Sequence, residues 1–262
     1  MDKHYKIAMI GAGNVGWHLA QELEKAGHII CSVFSQQEEH ALKLQKQLYS
    51  AEIASGFNYS ASRAEVFILC IKDDAVAEAA RLLTLPPNAI LLHTSGSLPL
   101  EVLREAGTEK TGVFYPLQTF SKHKKVSFTN LPVCIETTNH DVLPVLQQIG
   151  KSISKQVYEI SSADRSILHV AAVLACNFSN HLWAMADAIL KDRELPLQLL
   201  QPLIKETLNK ALSKGPANSQ TGPAVRGDQH TITRHIQLLE DDYPEWVEVY
   251  KALTASIQDF NK

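Results

Sequence analysis

The fold is decided by the first strand and turn of the chain, Lys6-Ile-Ala-Met-Ile10 followed at once by Gly11-Ala-Gly-Asn-Val-Gly16. The apolar residues predict a strand, and a helical pattern begins directly at the glycines. Gly11 permits the tight turn, Gly13 lets the backbone approach a pyrophosphate, and Gly16 lets the helix pack on its strand. The free N–H groups and the dipole at the helix start favour that anion. The motif predicts a dinucleotide-binding turn; the alternative is a glycine turn without a ligand.

Length, charge and cysteine usage limit the class of protein. The chain of 262 residues is long enough for two domains, and a net charge of −3 with a pI near 6.4 gives no broad basic field. We therefore expect no nucleic-acid and no membrane partner. The four cysteines lie far apart without a CxxC pair, which is typical of a reducing compartment. With no signal peptide before the first strand and no continuous apolar run near ~18 residues, we expect a soluble, cytoplasmic protein.

Up to residue 157, short apolar runs alternate with helical patterns, which is the order of an α/β fold. Strands are predicted over 6–10, 29–34, 66–71, 89–93, 112–115 and 133–136. Helices are predicted over 14–26, 38–48, 75–83, 99–106 and 141–149, the last ending before Gly150. The strand over 66–71 is apolar on both faces, which indicates a sheet covered on both sides. Residues 1–157 are therefore predicted to form a doubly wound parallel sheet.

Residues 158–262 differ, because helical patterns follow one another there without a convincing strand. A long helix is predicted over 161–192, with Ser161 or Ser162 as its cap, and further helices over 197–213, 229–240 and 245–260. The sequence therefore predicts a second, all-α domain after residue 157.

The carboxyl ends of the strands are expected to face the cofactor, because ligands of parallel sheets bind there. The second strand ends at Ser35-Gln36 without the carboxylate that would hold a ribose 2′-hydroxyl, which favours NADP over NAD. The backbone of Ile71 and Lys72 is expected near the ribose, and Asp74 as the cap of the next helix. The predicted cofactor-binding residues are Gly11, Gly13, Asn14, Val15, Gly16, Ser35, Gln36, Ile71, Lys72, His93 and Thr94.

The strand predicted over 89–93 ends at His93, and two further polar residues, Thr94 and Ser95, follow it directly. A capped turn before Pro99 would explain Ser97, but it hardly explains these three together. We expect Thr94 and Ser95 to line the nicotinamide side of the site, with Ser95 among the catalytic residues.

The long helix carries a second polar signal. At about 100° per residue, His169, Asn180 and Asp187 fall on nearly one line, with Asn177 beside it. Histidine and asparagine can polarise a carbonyl group, and histidine exchanges protons at neutral pH. We predict that His169 is the proton donor or acceptor and that Asn177 orients the substrate. The alternative is a polar stripe that faces solvent, which is our interpretation of Asp187.

A glycine- and proline-rich loop over 214–228 separates two of the predicted helices. Arg226 could bind a substrate carboxylate with both of its outer nitrogens, and Thr221 is a second candidate substrate-binding residue. Asp228 is expected to cap the helix that begins near Gln229. The histidines show no metal-ligand spacing, so no metal site is predicted, and no GxSxG motif supports a serine hydrolase.

Five segments together resemble one bacterial family. They are GAGNVG at 11–16, HTSGSLPLEVL at 93–103, GVFYPLQTFS at 112–121, HVAAVLACNFSNHL at 169–182 and TGPAVRGD at 221–228. The family consists of Rossmann-like proteins, often labelled NADP oxidoreductases, with a helical C-terminal domain of unknown function. The resemblance covers nearly the whole chain. More distantly, the plan is similar to pyrroline-5-carboxylate reductase and 3-hydroxyisobutyrate dehydrogenase, which implies a homodimer through the helical domain.

Two positions on the long helix can be compared with those distant relatives. Asn177 matches an asparagine of the 3-hydroxyisobutyrate dehydrogenases, but their catalytic lysine, four residues earlier, is Val173 here. The mechanism of those dehydrogenases therefore does not carry over, and His169 is the best available substitute for the lysine.

These observations favour an NADP-dependent oxidoreductase that moves a hydride to or from a small carbonyl, imine or hydroxy acid bound between the two domains. The alternative, supported by Val173, is a dinucleotide-binding sensor or regulator without turnover. NAD in place of NADP, or a deazaflavin in place of the nicotinamide, also remains open at this point.

Overall fold

The computed structural model describes residues 3–260, which contain one eight-stranded sheet. Its strands are β1 (Lys6–Ile10), β2 (Ile29–Phe34), β3 (Glu52–Ile53), β4 (Val66–Leu69), β5 (Ile90–His93), β6 (Thr111–Pro116), β7 (Val133–Glu136) and β8 (Val157–Glu159). The order across the sheet is β3-β2-β1-β4-β5-β6-β7-β8. Strands β2 and β3 lie on one side of β1, and β4 to β8 follow in order on its other side. The strand order therefore reverses once, between β1 and β4, which is the doubly wound order.

Ten α-helices accompany the sheet in the described residues. They are α1 (Asn14–Lys25), α2 (Glu38–Gln45), α3 (Asp73–Leu82), α4 (Leu143–Ile153), α5 (Ser162–Ala172), α6 (Ser179–Lys191), α7 (Gln201–Lys214), α8 (Pro223–Arg226), α9 (Gln229–Asp242) and α10 (Val247–Phe260). Short 3₁₀ turns occur at Leu100–Leu103, Leu197–Leu200, Ala217–Ser219 and Pro244–Trp246, and a π-helical turn at Val173–Phe178. The predicted fold class, a Rossmann-type sheet followed by helices, is confirmed.

The sheet is covered on both faces because successive residues of a strand point to opposite sides. On one face, Ile7 and Met9 of β1 belong to a buried cluster that includes side chains of α1 and α4. On the other face, Ala8 and Ile10 belong to a second cluster, which includes side chains of α3. Strands β4 and β5 are buried at every residue, as their apolar sequences predict.

The predicted sheet was parallel throughout, but β7 runs antiparallel to β6. The connection over 117–132 contains no helix, and a parallel neighbour requires a crossover segment that returns the chain to the other end of the sheet. Helix α4 provides such a crossover between β7 and β8, which are parallel to each other. Strands β3 and β8 are too short to be recognised from sequence periodicity.

Several predicted helix bounds differ by a few residues, and two of these helices differ for a structural reason. The segment predicted as a helix over 99–106 is a 3₁₀ turn, Leu100–Leu103. Helix α4 passes through Gly150 and ends at Ile153. Gly150 packs closely against Val157, since a Cβ at this position would lie 3.0 Å from a Val157 methyl group. This glycine therefore serves packing between α4 and β8 rather than ending the helix.

The described residues form two compact units, one up to residue 180 and the other from residue 181 onward. The predicted domain boundary at 157/158 falls inside β8, a few residues before the helices begin at Ser162, and it stays a prediction. The second unit has a small core around Leu239, Tyr243 and Val247, where the rings of Tyr243 and Trp246 stack with centroids 5.2 Å apart.

One helix of the described residues, Ser162–Lys191, is long and apolar enough to cross a membrane as judged by length and composition. Its most apolar window has a mean hydropathy of 1.2, and none of that window is buried. A single helix of this kind is weak support for a membrane span, because the core helix of a soluble protein or a signal sequence passes the same test.

Candidate active site

The glycine turn after β1 is fixed by backbone packing at two of its three glycines. Gly11 has φ +114, and a Cβ there would overlap the carbonyl oxygen of Cys70. A Cβ at Gly16 would overlap the carbonyl oxygen of Gly11 itself. These two positions must be glycine for the strand, turn and helix to pack as closely as they do.

Gly13 differs from its neighbours, because the space beside it is open. A Cβ at Gly13 would meet only the Cys70 carbonyl oxygen, at 3.9 Å, and the backbone angles (φ −72, ψ −167) suit any residue. Gly13 precedes α1, whose first turn has neither a side-chain cap nor an acidic residue. The N-terminus of α1, with Asn14 exposed and Val15 half-buried, therefore fits a diphosphate group.

Ser35 and Gln36 lie directly after β2, half-buried and exposed respectively. The first turn of α2 brings Glu38 and Glu39 close behind them, but the Glu39 carboxylate lies 2.6 Å from the Lys43 ammonium group. This exposed pair weakens the repulsion that Glu39 would exert on a 2′-phosphate. The roles of Ser35 and Gln36 stay predictions.

The ends of β4 and β5 are joined through Asp73, which the sequence analysis did not single out. Its carboxylate accepts hydrogen bonds from Ser95 Oγ at 2.8 Å and from Ser97 Oγ at 2.5 Å. Asp74 was expected to cap α3, but this is wrong: the N-cap position is Lys72, and no side chain caps the helix. The backbone of Ile71 and Lys72 does lie at the end of β4, where the ribose was expected.

The hydroxyl groups of Thr94 and Ser95 are committed to the turn that contains them. Thr94 Oγ1 donates to the carbonyl oxygen of Leu69 at 3.1 Å. Ser95 Oγ donates to Asp73 and accepts the backbone N–H groups of Ser97 at 3.1 Å and Leu98 at 3.0 Å. Both residues are buried. Their geometry assigns these hydroxyls to the structure of the turn, and it lends no support to a catalytic Ser95.

His93 is fully buried at the end of β5, and its Nδ1 accepts the backbone N–H of Ser95 at 3.2 Å. Burial, with a smaller contribution from the nearby Arg165 guanidinium, lowers the pKa of His93 to about 4. The imidazole is therefore neutral at physiological pH and holds the turn at 94–98. Its predicted contact with a cofactor stays a prediction.

His169 meets Tyr115 at this same turn. The Tyr115 hydroxyl and His169 Nδ1 lie 3.1 Å apart, with the ring centroids 6.0 Å apart and the planes at 74°. Gly96 packs against both rings: a Cβ there would lie 2.6 Å from His169 Nδ1 and 2.7 Å from Tyr115 Cζ. The structure thus joins the end of β6, the turn after β5 and the long helix at one point.

Sequence patterns alone did not mark Tyr115 as a functional residue, although it lies in the motif at 112–121. The signal that could have found it is its position near the end of β6, a strand parallel to β5. Burial raises the pKa of Tyr115 to about 12, so the phenol keeps its proton at neutral pH. It can donate that proton to His169 Nδ1, which leaves the other ring nitrogen, Nε2, as the N–H group.

The polar stripe predicted for the long helix does not hold, because the π-helical turn Val173–Phe178 interrupts it. A π turn has more residues per turn than an α-helix, so residues on its two sides lose the 100° register. Asn177 lies within this turn and is exposed. Its predicted orienting role, like the catalytic role of His169, stays a prediction.

The two predicted substrate-binding residues belong to the second unit. The segment predicted as a loop contains the short helix α8, and Arg226 is its last residue. Arg226 and Thr221 are both exposed. Asp228 caps α9, as predicted, because its carboxylate accepts the Thr231 N–H at 3.0 Å. Within residues 3–260 there is no cluster of three side chains suited to a metal ion.

Comparison with known proteins identifies the class. Residues 6–95 match the model of the family "NADP oxidoreductase coenzyme F420-dependent", and residues 131–257 match a domain of unknown function, DUF2520. The crystal structure of BF3122 from Bacteroides fragilis, to which an NADP oxidoreductase function is ascribed, is 36% identical, with 98% of each chain covered and a TM-score of 0.89. No curated protein sequence matches significantly.

Two further solved structures share the fold at lower identity. The protein TM1727 from Thermotoga maritima is 21% identical (TM-score 0.70; 97% of this chain and 98% of that one covered). An imine reductase from Myxococcus stipitatus in complex with NADP+ is 14% identical (TM-score 0.67; 97% and 93% covered).

The fold and the glycine turn define a dinucleotide-dependent oxidoreductase of the Rossmann class. More specifically, the chain belongs to the NADP oxidoreductase family in which an F420-dependent-type domain is followed by a DUF2520 domain. This confirms the predicted family, and with it NADP as the cofactor of the family. The family name leaves the deazaflavin F420 open as a partner in the reaction.

Proposed function

We propose that this chain transfers a hydride between NADP and a small imine, carbonyl or hydroxy-acid substrate, with His169 moving the proton. The observation that carries the proposal is the Tyr115–His169 pair, 3.1 Å apart beside Gly96. The pair lies where β6 ends, at the same edge of the sheet as the glycine turn after β1, because β1, β4, β5 and β6 are parallel neighbours.

The residues that would hold the cofactor are those of the glycine turn. Gly13 leaves room for the diphosphate, the N–H groups at the start of α1 would bind it, and Ser35 and Gln36 would donate to a 2′-phosphate. When bound, NADPH supplies the hydride.

The proton is held at His169. Tyr115 donates to Nδ1, so Nε2 carries the proton that is passed to the nitrogen or oxygen of the substrate. The Tyr115 hydrogen bond also fixes the plane of the imidazole ring, and Gly96 leaves the space that this orientation needs. The imine reductase that shares the fold supports an imine as one substrate class. Arg226 and Thr221 remain candidates for an anionic group on the substrate.

The test is a measurement of NADPH oxidation over cyclic imines, keto acids and oxidised F420, with hydroxy acids and NADP+ for the reverse direction. We expect turnover with at least one compound and a loss of kcat of about 100-fold or more in His169→Gln. Tyr115→Phe is expected to lower kcat less and to leave the KM for NADPH unchanged. Tight NADPH binding without turnover of any compound would favour the sensor or regulator instead.

We also propose that the chain forms a homodimer through its helices. Val170, Leu174 and Phe178 on the long helix are each more than half exposed. Leu203 and Leu212 on α7 are exposed as well. Exposed apolar side chains in such number mark an association surface, and a second copy of the chain offers the same apolar face.

A further inference from the structure

Arg165 is a fully buried arginine one helical turn before His169. It is 1% exposed, although arginine is almost never buried unless it is paired. It lies on α5 four residues before His169, so the two side chains leave the helix on the same face. The reaction proposed above gives Arg165 no role, so its burial needs a separate explanation.

The guanidinium group connects three parts of the structure. One terminal nitrogen pairs with the Glu136 carboxylate on β7, and the other donates to the carbonyl oxygen of Leu98. That second nitrogen also lies 3.3 Å from Ser162 Oγ on α5 itself. Glu136 in turn accepts the Ser162 N–H at 2.8 Å, so the carboxylate is tied to the start of the same helix.

These three parts are the ones that surround the His169 imidazole. Leu98 ends the turn that contains Gly96, and Gly96 packs on the ring. Strand β7 pairs with β6, which carries Tyr115. Helix α5 carries His169 itself. A shift of any one of them relative to the others would change the 3.1 Å distance between the Tyr115 hydroxyl and His169 Nδ1.

We propose that Arg165, through its pairing with Glu136 and Leu98, positions the His169 imidazole against Tyr115 and Gly96 for proton transfer. The inference rests on the proposed function for its chemical meaning, but the geometry it describes can be measured without turnover.

The energetics of buried ion pairs favour a positioning role over a stabilising one. Removing both charges from water costs several kcal/mol per ion, and well-packed apolar residues of similar volume are often as stable as the pair. Apolar side chains, however, can slide over one another, whereas the fork of a guanidinium fixes distance and direction to two acceptors at once. The pair therefore provides orientation that a replacement core would lack.

The deciding variant is the double substitution Arg165→Met with Glu136→Leu, which removes both charges and keeps apolar volume. Arg193→Met is the matched control, because Arg193 forms an ion pair with Asp242 at 2.6 Å within the second unit. For each full-length protein we would record the melting temperature, the side-chain ¹⁵N spectrum of His169 without cofactor, and kcat and KM. The His169 signals are assigned by comparison with His169→Gln.

We expect the double variant to remain folded with a lower melting temperature, because the Leu98 carbonyl and the Ser162 N–H lose their partners, and to lose the hydrogen-bonded Nδ1 signal of His169. Its kcat should fall at least tenfold, with the KM for NADPH unchanged, and the pH profile of kcat should shift. Arg193→Met should leave the His169 spectrum and kcat unchanged.

A folded double variant with the wild-type His169 spectrum overturns the inference, since Arg165 would then be only structural. If the double variant does not fold, Arg165→Lys decides: it keeps the charge but cannot reach both acceptors, so the same spectral change supports the inference and an unchanged spectrum overturns it. Absence of turnover in the wild type would instead contradict the proposed function, while the spectra still decide the geometry.

Discussion

Three glycines in one motif have different physical reasons to be glycine. Gly11 and Gly16 are required by the protein's own backbone, because a Cβ at either position would overlap a carbonyl oxygen. Gly13 has ordinary backbone angles and open space beside it, so the folded chain itself does not require glycine there. The space beside Gly13 leaves room for a ligand to approach the backbone, and this can be tested by a single substitution.

Gly13→Ala is expected to fold with an unchanged melting temperature and to lose NADPH affinity by at least tenfold, or about 1.4 kcal/mol. The reason is that the added methyl group would occupy the space beside Gly13 that we propose for the diphosphate. Isothermal titration with NADPH measures the affinity, and Gly56→Ala, where a Cβ would meet nothing within 4 Å, is the control. Unchanged affinity in Gly13→Ala would show that the diphosphate lies elsewhere.

His93 predicts how stability depends on pH. Its folded pKa of about 4 lies below the unfolded value of ~6.5, so the unfolded chain binds a proton first as the pH falls. The free energy of unfolding is therefore expected to decrease by about 2–3 kcal/mol between pH 7 and 4.5 on account of His93. Urea denaturation at both pH values measures it. In His93→Gln the decrease should be smaller by this amount; an equal decrease would exclude His93 as its source.

At this scale the sequence predicted the geometry of the glycine turn better than the contacts of the polar residues around it. The glycine spacing reflects the close backbone packing of strand, turn and helix, which depends on few other residues. The partners of Thr94 and Ser95, by contrast, come from Leu69 and Asp73, which other parts of the chain supply. Tyr115 and His169 meet across residues far apart in sequence, so no local pattern could have paired them.

Among the elements, the long helix depends most on how it begins. Ser161 caps α5 by accepting the Asp164 N–H at 3.2 Å, and its hydroxyl also lies 2.7 Å from the Asp164 carboxylate. A few residues later the side chain of Arg165 fixes the helix to β7. The cap therefore contributes stability, while the position of the helix is set by the arginine.

Ser161→Ala is expected to lower the free energy of unfolding by about 1 kcal/mol without changing kcat. Ser213→Ala on α7 is the control, because its hydroxyl donates to carbonyl groups of its own helix, those of Asn209 at 2.7 Å and Lys210 at 3.4 Å. Thermal denaturation and steady-state kinetics are the measurements. A large loss of kcat in Ser161→Ala would mean that the cap, rather than Arg165, sets the position of His169.

Elements were predicted well where periodicity decides them and poorly where tertiary contacts do. Strands β1, β2 and β7 have the predicted bounds. The direction of β7 and the passage of α4 through Gly150 depend on what the chain packs against, and the π turn shows no signal in hydropathy. The loss of register between His169 and Asn177 follows from that turn alone.

For the whole molecule, the exposed apolar residues of the helices are the main unexplained feature of the single chain. Leu174 is 57% exposed on the long helix. An apolar groove in the second unit adds to it, lined by Leu182, Met185, Leu238, Trp246 and Leu253. Both features are expected of a protomer whose helical surface is covered by another copy.

Leu174→Glu is therefore expected to convert a dimer into a monomer, since the partner cannot accommodate a buried carboxylate. Size-exclusion chromatography with light scattering measures the mass, and Leu82→Glu, at a residue 50% exposed on α3, is the control. A wild-type chain that is monomeric at all concentrations would contradict the proposed dimer, and so would a Leu174→Glu variant that remains dimeric.

The two edge strands of the sheet, β3 and β8, affect how the protein can aggregate. Strand β3 has two residues and β8 has three, so each margin offers a neighbouring molecule only a few free N–H and C=O groups. Short margins of this kind resist the addition of foreign strands, which is how many β-containing proteins avoid fibrils. Copies of this chain are therefore less prone to aggregate through edge-to-edge strand pairing during synthesis and storage.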